Sequence, residues 1–270
     1  MAKLLIGQEL AEFIKERQLK AVRGLTPSKI IPKLAVVQIK DDPIINTYVR
    51  LKKKYGSDIG VQVDTYNPAQ VDAPKLIKTL NNDSGVHGII VQLPIENSDE
   101  TDKIVNLVSP EKDVDALAKN SKFQPATPTA ILWLLAGHNI DLSDKKVLII
   151  GRGKLVGQPL NKMLKDSGVS VRVADRETSS LPDETLWADV IITATGSPAI
   201  LYPKMVKQGA VVIDAGVASE SGQTVGDLDS SIYEREDLTL TPKKGGVGPL
   251  TVSSLFENVI VSAKRAAAEK

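Results

Sequence analysis

Short apolar runs rich in β-branched residues alternate along this chain with stretches whose apolar positions recur at helical spacing. Leu34-Ala-Val-Val-Gln-Ile39, Val61-Gln-Val-Asp-Thr-Tyr66 and Gly88-Ile-Ile-Val-Gln-Leu93 read as strands. Helical patterns lie over 42–59, near Ala73 to Leu80, and near Asp99 to Val108 with Ser98 as N-cap. A polar, turn-rich segment from Ser109 to Pro128 holds the expected domain boundary. Beyond it come strands at Lys146–Ile150, Val169–Val173, Asp189–Thr193 and Ala210–Asp214, and a short fifth at Leu238–Thr241. A final helix covers roughly Ser253 to Ala268. This order predicts an α/β protein of two domains with mostly parallel sheets. The expected division is 1–122, with helix 252–270 packing back on it, and 123–251.

One position breaks the pattern. Within 42–59, Ile45, Tyr48, Val49, Tyr55 and Ile59 gather on one side at about 100° per residue. Arg50, Lys53 and Lys54 fall off that side, but Lys52 lies in the middle of it, one turn after Tyr48. Two readings are open. Lys52 either snorkels its stem along the stripe with its charge in water, or lines a cleft where lost hydration lowers its pKa and suits it to proton transfer.

Val147-Leu-Ile-Ile-Gly-Arg-Gly-Lys-Leu-Val-Gly157 is a strand running into a Gly-x-Gly-x-x-x-Gly turn, one residue longer than the common dinucleotide fingerprint. Gly151 and Gly153 let the backbone approach a diphosphate, and the helix that follows offers free N–H groups. Pro159 suits its first turn. The second domain is therefore expected to be a Rossmann-type nicotinamide-binding unit. Ala194-Thr-Gly-Ser-Pro198 and Asp214-Ala-Gly-Val217 also follow strands, at the edge where such sheets bind ligands. An acid at Asp175 favours NAD through the ribose hydroxyls, whereas Arg152 and Arg176 favour the extra phosphate of NADP.

Composition narrows the field. The chain of 270 residues has a net charge of +1, which gives no electrostatic reason to propose nucleic acid or an acidic membrane as partner. It has no cysteine and two histidines, which excludes disulfides and thiol chemistry and leaves no expected metal site. No signal sequence or membrane-length apolar run is expected, and the location expected is cytoplasmic.

Six motifs stand in order: Tyr48-Val-Arg-Leu-Lys52, Val91-Gln-Leu-Pro94, Lys112-Asp-Val-Asp115, Pro125-Ala-Thr-Pro128, Gly151-Arg-Gly-Lys-Leu-Val-Gly-Gln-Pro159 and Gly245-Gly-Val-Gly-Pro-Leu-Thr251. Together they resemble the bifunctional methylenetetrahydrofolate dehydrogenase/methenyltetrahydrofolate cyclohydrolase family over nearly the whole chain. The resemblance implies oxidation of 5,10-methylenetetrahydrofolate with NADP (NAD being possible), then hydrolysis of the methenyl product to 10-formyltetrahydrofolate, in one cleft between the domains. It implies that Lys52 is the catalytic lysine, Tyr48 its neighbour at the folate ring and Gln92 the amide that holds the lysine. Asp115 would bind the pterin, and a Gly245 to Thr251 lid would bring Gly248 and Pro249 to the ring. Gly151, Arg152, Gly153, Arg176 and Val217 fall where the family touches its cofactor, and Thr195 and Gly196 are candidates beside them. A homodimer through the cofactor domain is implied as well.

The pattern departs from the family at Ile45, Gly153 and Arg176, where serine is usual, and at Ala116, Ala126 and Lys244, where glycine, cysteine and proline are usual. Two other readings compete. One is a different two-domain dehydrogenase resembling shikimate dehydrogenase, against which Tyr48 and the Gly245 to Thr251 segment speak. The other is a non-catalytic nicotinamide-binding protein, which has no use for a lysine inside a helix stripe.

Overall fold

A computed structural model describes residues 2–216, 218–220 and 223–268. These fall into two compact units, residues 1–11 with 127–251, and residues 12–126 with 252–270. The first unit thus takes in the chain start, which was expected to belong to 1–122. The reason is pairing: β1 (Lys3–Leu4) lies parallel to β11 (Thr239–Leu240) at the edge of that unit's sheet.

The 12–126 unit is built on three parallel strands, β2 (Lys33–Gln38), β3 (Gln62–Tyr66) and β4 (Gly88–Gln92), in the order β3-β2-β4. Leu34 to Val37 and Ile89 are fully buried because helices cover both faces. Helix α2 (Pro43–Ile59) starts where Asp42 Oδ1 accepts the Ile44 and Ile45 N–H groups, and ends at Gly60. Helix α3 (Ala73–Asn82) buries Ala73, Ile77 and Leu80. Helix α4 (Thr101–Val105) is shorter than its pattern suggests, and its entry is capped by Asn97, not Ser98: the Asn97 side chain accepts from the Asp99 N–H.

The last helix, α8 (Val247–Ala268), begins six residues before the expected Ser253. Its Phe256, Val259 and Ile260 share a core with Leu34, Val36, Val49 and Ile59. A buried polar knot ties it down. The Tyr55 hydroxyl donates to Gln18 Oε1 at 2.8 Å and accepts from the Ser253 hydroxyl at 3.0 Å, while Gln18 donates to the Ser253 carbonyl. Burial pushes the Tyr55 phenol up to about 12.

The other unit holds a six-stranded sheet, ordered β1-β11-β8-β7-β5-β6 and parallel throughout. Its strands are β5 (Lys146–Ile150), β6 (Ser170–Ala174), β7 (Val190–Thr193) and β8 (Val211–Asp214), together with β1 and β11 named above. Helices α6 (Gly157–Asp166) and α7 (Leu181–Trp187) connect them. From β5 the chain steps to β6 on one side and later to β7 on the other, which creates a switch point at β5. A two-stranded antiparallel hairpin, β9 (Ala218–Glu220) and β10 (Gln223–Val225), follows β8.

Strand β1, helix α7 and three further elements lie outside the sequence expectations. Helix α1 (Gly7–Arg23) buries Gly7, Ala11, Gln18 and Val22, a helical spacing that hydrophobicity alone does not reveal. Helix α5 (Ala126–Gly137) is apolar on nearly all sides and so has no period to detect. The β9–β10 hairpin is the third.

Candidate active site

Helix α2 and strand β4 bring Lys52 and Gln92 together. Lys52 Nζ donates to Gln92 Oε1 at 2.6 Å, so the amide oxygen, rather than bulk water, receives one of the ammonium protons. The Gln92 amide donates in turn to the Leu93 carbonyl at 3.3 Å. Lys52 is partly buried while Arg50, Lys53 and Lys54 on the same helix are exposed. Burial lowers the Lys52 pKa, and the nearby Asp115 carboxylate works against that shift. Asp115 shows the mirror image: burial raises its pKa and Lys52 opposes the rise. Tyr48, one turn before Lys52, is half-buried, and its phenol is pushed up by that burial.

Asp115 is carried by a tight turn after α4. The Ile89 N–H donates to the Lys112 carbonyl at 2.7 Å, which anchors the turn's start to the sheet. Asp113, 3% exposed, then folds the turn over itself: its carboxylate accepts the Ala118 N–H at 2.8 Å and the Leu117 N–H at 3.3 Å. Burial pushes Asp113 up to about 6 in spite of those donors. Asp113 stands within the Lys112–Asp115 motif, and the sequence signal for its role is its place four and five residues before the amides it caps. Ala116, where the family has glycine, sits in the left-handed region at φ 56°.

On the other unit the glycine turn brings two segments of backbone close together. Gly151 has φ 110°, and a Cβ there would approach the Ala194 carbonyl oxygen to 2.5 Å. Gly153 has nothing within 4 Å of where its Cβ would be, so no packing inside the protein requires glycine there, and its open side leaves room for a ligand. Helix α6 starts at Gly157 with no side-chain cap; the Gln158 N–H donates to the Gly153 carbonyl at 3.0 Å and Pro159 has no N–H, so the positive end of the helix dipole is what it offers an anion.

Arg152 Nε donates to Asp175 Oδ2 at 2.8 Å, while Asp175 Oδ1 accepts the Glu177 N–H at 3.0 Å. The Glu177 N–H and the Arg152 guanidinium hold the Asp175 pKa below the usual carboxylate range. Both Asp175 oxygens are therefore engaged by the protein. Arg176 is exposed. Thr195 and Gly196 follow β7 immediately beside Gly151, with the Thr195 methyl 3.3 Å from the Gly151 Cβ direction. Val217 lies outside the described residues.

Gly248 and Pro249 are found in the first turn of α8, not in a loop as expected. Proline is tolerated there because the first helical N–H groups have no partner within the helix. Among the described residues no group of three or more histidine or acidic side chains is placed to hold a metal, and no helix is long and apolar enough to cross a membrane.

Residues 5–115 match the model of the tetrahydrofolate dehydrogenase/cyclohydrolase catalytic domain, and residues 125–267 match the NAD(P)-binding domain of the same family. The bifunctional protein FolD of Lactobacillus acidophilus is 36% identical over 278 residues, covering 98% of each chain. The crystal structure of the bifunctional FolD methylenetetrahydrofolate dehydrogenase/cyclohydrolase from Campylobacter jejuni superposes with a TM-score of 0.92, at 36% identity, over 98% of this chain and 99% of that one. The Trypanosoma brucei enzyme, solved with NADP cofactor and inhibitor, gives a TM-score of 0.90 at 27% identity over 98% of both chains. These matches do not favour the shikimate dehydrogenase-like reading. The chain belongs to the tetrahydrofolate dehydrogenase/cyclohydrolase family.

Proposed function

We propose that this chain oxidises 5,10-methylenetetrahydrofolate to the methenyl compound with NADP, and hydrolyses that product to 10-formyltetrahydrofolate. The observation that carries the reading is the 2.6 Å contact between Lys52 Nζ and Gln92 Oε1, in a partly buried place where Asp115 acts on the same lysine. Bound NADP would accept the hydride that a methylene carbon between two nitrogens releases. The chain's own residues do the rest. Gln92 fixes one N–H of Lys52, and burial holds the amine nearer to neutrality, so that its nitrogen takes the proton from the water that adds to the methenyl carbon. Tyr48 orients the ring beside it, and Asp115 accepts from the pterin N–H groups.

The Gly151 turn and the start of α6 would hold the diphosphate, with Thr195 and Gly196 on the neighbouring loop. NADP is preferred because Asp175 is committed to Arg152 and to the Glu177 N–H, which leaves the Arg176 guanidinium to meet a ribose phosphate. The same reading makes the chain a cytoplasmic homodimer joined through the cofactor unit; a sedimenting mass equal to one chain would contradict that part.

An absorbance assay with methylenetetrahydrofolate and each cofactor in turn tests the whole reading: methenyl product is expected with NADP, and more slowly with NAD. Arg176→Ala should raise the KM for NADP about tenfold or more while moving that for NAD little, since a charge-assisted hydrogen bond contributes roughly 1.5–3 kcal/mol. Equal effects on both cofactors, or a wild type that prefers NAD, would return the ribose to Asp175.

A further inference from the structure

Strands β7 and β8 end side by side, and a second set of carboxylates closes the loops beyond them. Asp227 is fully buried. Its Oδ2 accepts the Thr195 N–H at 2.7 Å and its Oδ1 accepts the Ser197 N–H at 3.0 Å. Asp214, the last residue of β8, holds Asp227 in place. The Asp214 carboxylate accepts the Asp227 N–H at 3.1 Å, the Leu228 N–H at 3.2 Å, the Gly216 N–H at 3.0 Å and the Thr193 hydroxyl at 3.2 Å. The backbone completes the clamp, because Ile200 N–H donates to the Asp227 carbonyl at 2.8 Å.

The packing is reciprocal. A Cβ on Gly216 would collide with the Asp227 carboxylate, and one on Gly226 would collide with that of Asp214. Each carboxylate therefore needs a glycine beside the other. Such an arrangement is dense for a surface turn, and it has one chemical consequence. The N–H groups of Thr195 and Ser197 point inward to Asp227, so the loop after β7 cannot serve as an anion-binding nest.

The crevice at the sheet's switch point thus has two unlike walls. On the β5 side stands the N-terminal end of α6; its Gln158 N–H is taken by the Gly153 carbonyl at 3.0 Å, so that wall is positive through the helix dipole. On the β7 side, the amide donors of Thr195 and Ser197 are consumed, with a buried negative group behind them. A dinucleotide laid across that crevice has an anionic diphosphate and, when oxidised, a cationic ring. Opposite charges call for opposite walls.

We propose that Asp227, held by Asp214, is a positioning residue that turns the Thr195–Ser197 amides inward and so reserves the β7 wall for the nicotinamide end, favouring its oxidised, cationic form. This rests on the nicotinamide-binding reading given above. The test measures dissociation constants by calorimetry for NADP and NADPH, in the wild type and in Asp227→Asn. Removing the buried charge should weaken NADP at least tenfold and NADPH threefold or less. A merely structural role would weaken both alike, and that result, or no change in either, overturns the proposal.

Amide exchange of the cofactor-free wild type is the second measurement, and it stands whether or not the variant folds. Thr195 and Ser197 should exchange at least a hundredfold more slowly than in an unfolded chain; free exchange of these amides overturns the clamp. The two readings fail separately. A wild type that binds neither NADP nor NAD removes both, whereas a wild type that binds and a variant that keeps its NADP/NADPH ratio removes only the role of Asp227.

Discussion

Lys52 and Asp227 are both ionisable side chains drawn out of water, and they are treated in opposite ways. Asp227 receives two backbone N–H donors and is enclosed on all sides. Lys52 receives one neutral amide oxygen, and its pKa falls through burial. A buried polar group with its partners in place is rigid and inert. One left short of partners keeps a free energy difference between its protonation states small enough to be useful near neutral pH. The contrast separates the parts of this protein that hold loops from the part that moves protons.

The strongest break of that contrast is Lys52→Met. Methionine matches the stem's length and apolar character, so α2 and its core contacts should persist. Hydrolysis of methenyltetrahydrofolate should fall by about 10²–10⁴, the usual span for a lost acid–base group. Urea denaturation should show a midpoint at or above that of the wild type, because a desolvated amine is replaced by an apolar chain. Hydrolysis at near wild-type rate would remove Lys52 from the chemistry.

Asp113 lies between the two kinds and sharpens the comparison. It holds the Leu117 and Ala118 amides, as a structural carboxylate should, yet burial pushes it up to about 6. The folded state then binds a proton that the unfolded chain, titrating near 3.9, gives up earlier. Stability from this group is fully present below the unfolded pKa and is lost as pH rises through about 6. The gap between 3.9 and about 6 corresponds to roughly 3 kcal/mol at most. Urea titrations at pH 4 to 7 should therefore show the wild type losing stability with rising pH relative to Asp113→Asn. Parallel curves for the two proteins would place the Asp113 pKa near its ordinary value.

Much of this was legible in the sequence, for identifiable reasons. Strands such as Val147–Ile150 and Val190–Thr193 are buried on both faces, so they read as short runs dominated by β-branched residues with no polar alternation. Lys52 was legible because a charge interrupts an apolar stripe. Helix α5 was hidden by the absence of any polar face, and α1 by a buried face that includes Gly7 and Gln18. The start of α8 reads as a loop because Gly246, Gly248 and Pro249 are all turn formers, although proline suits a first helical turn. Asp227 was invisible for a different reason. It acts on amides about thirty residues earlier in the chain, and pairing at that distance leaves no mark on local composition.

The smallest expected effect concerns the turn that carries Asp115, and it asks whether the proton-moving side is held as firmly as the Asp227 side. Ala116 has φ 56°, a conformation in which Cβ crowds the neighbouring carbonyl. Holding an L-residue there costs about 1–2 kcal/mol relative to its preferred regions. Glycine removes that cost but enlarges the unfolded ensemble, which returns about 0.4–1 kcal/mol. Ala116→Gly should accordingly stabilise the protein by on the order of 0.5–1 kcal/mol, read as a higher urea midpoint at unchanged slope. The turn is also pinned by the Asp113 carboxylate on the Leu117 and Ala118 amides, so the added freedom should stay within it. The KM for the folate substrate should then move by less than about threefold, which is under 0.7 kcal/mol. A lowered midpoint would mean that the left-handed turn is not strained by alanine. A large rise in KM with the midpoint raised would mean that alanine's stiffness, rather than Asp113, keeps Asp115 in place.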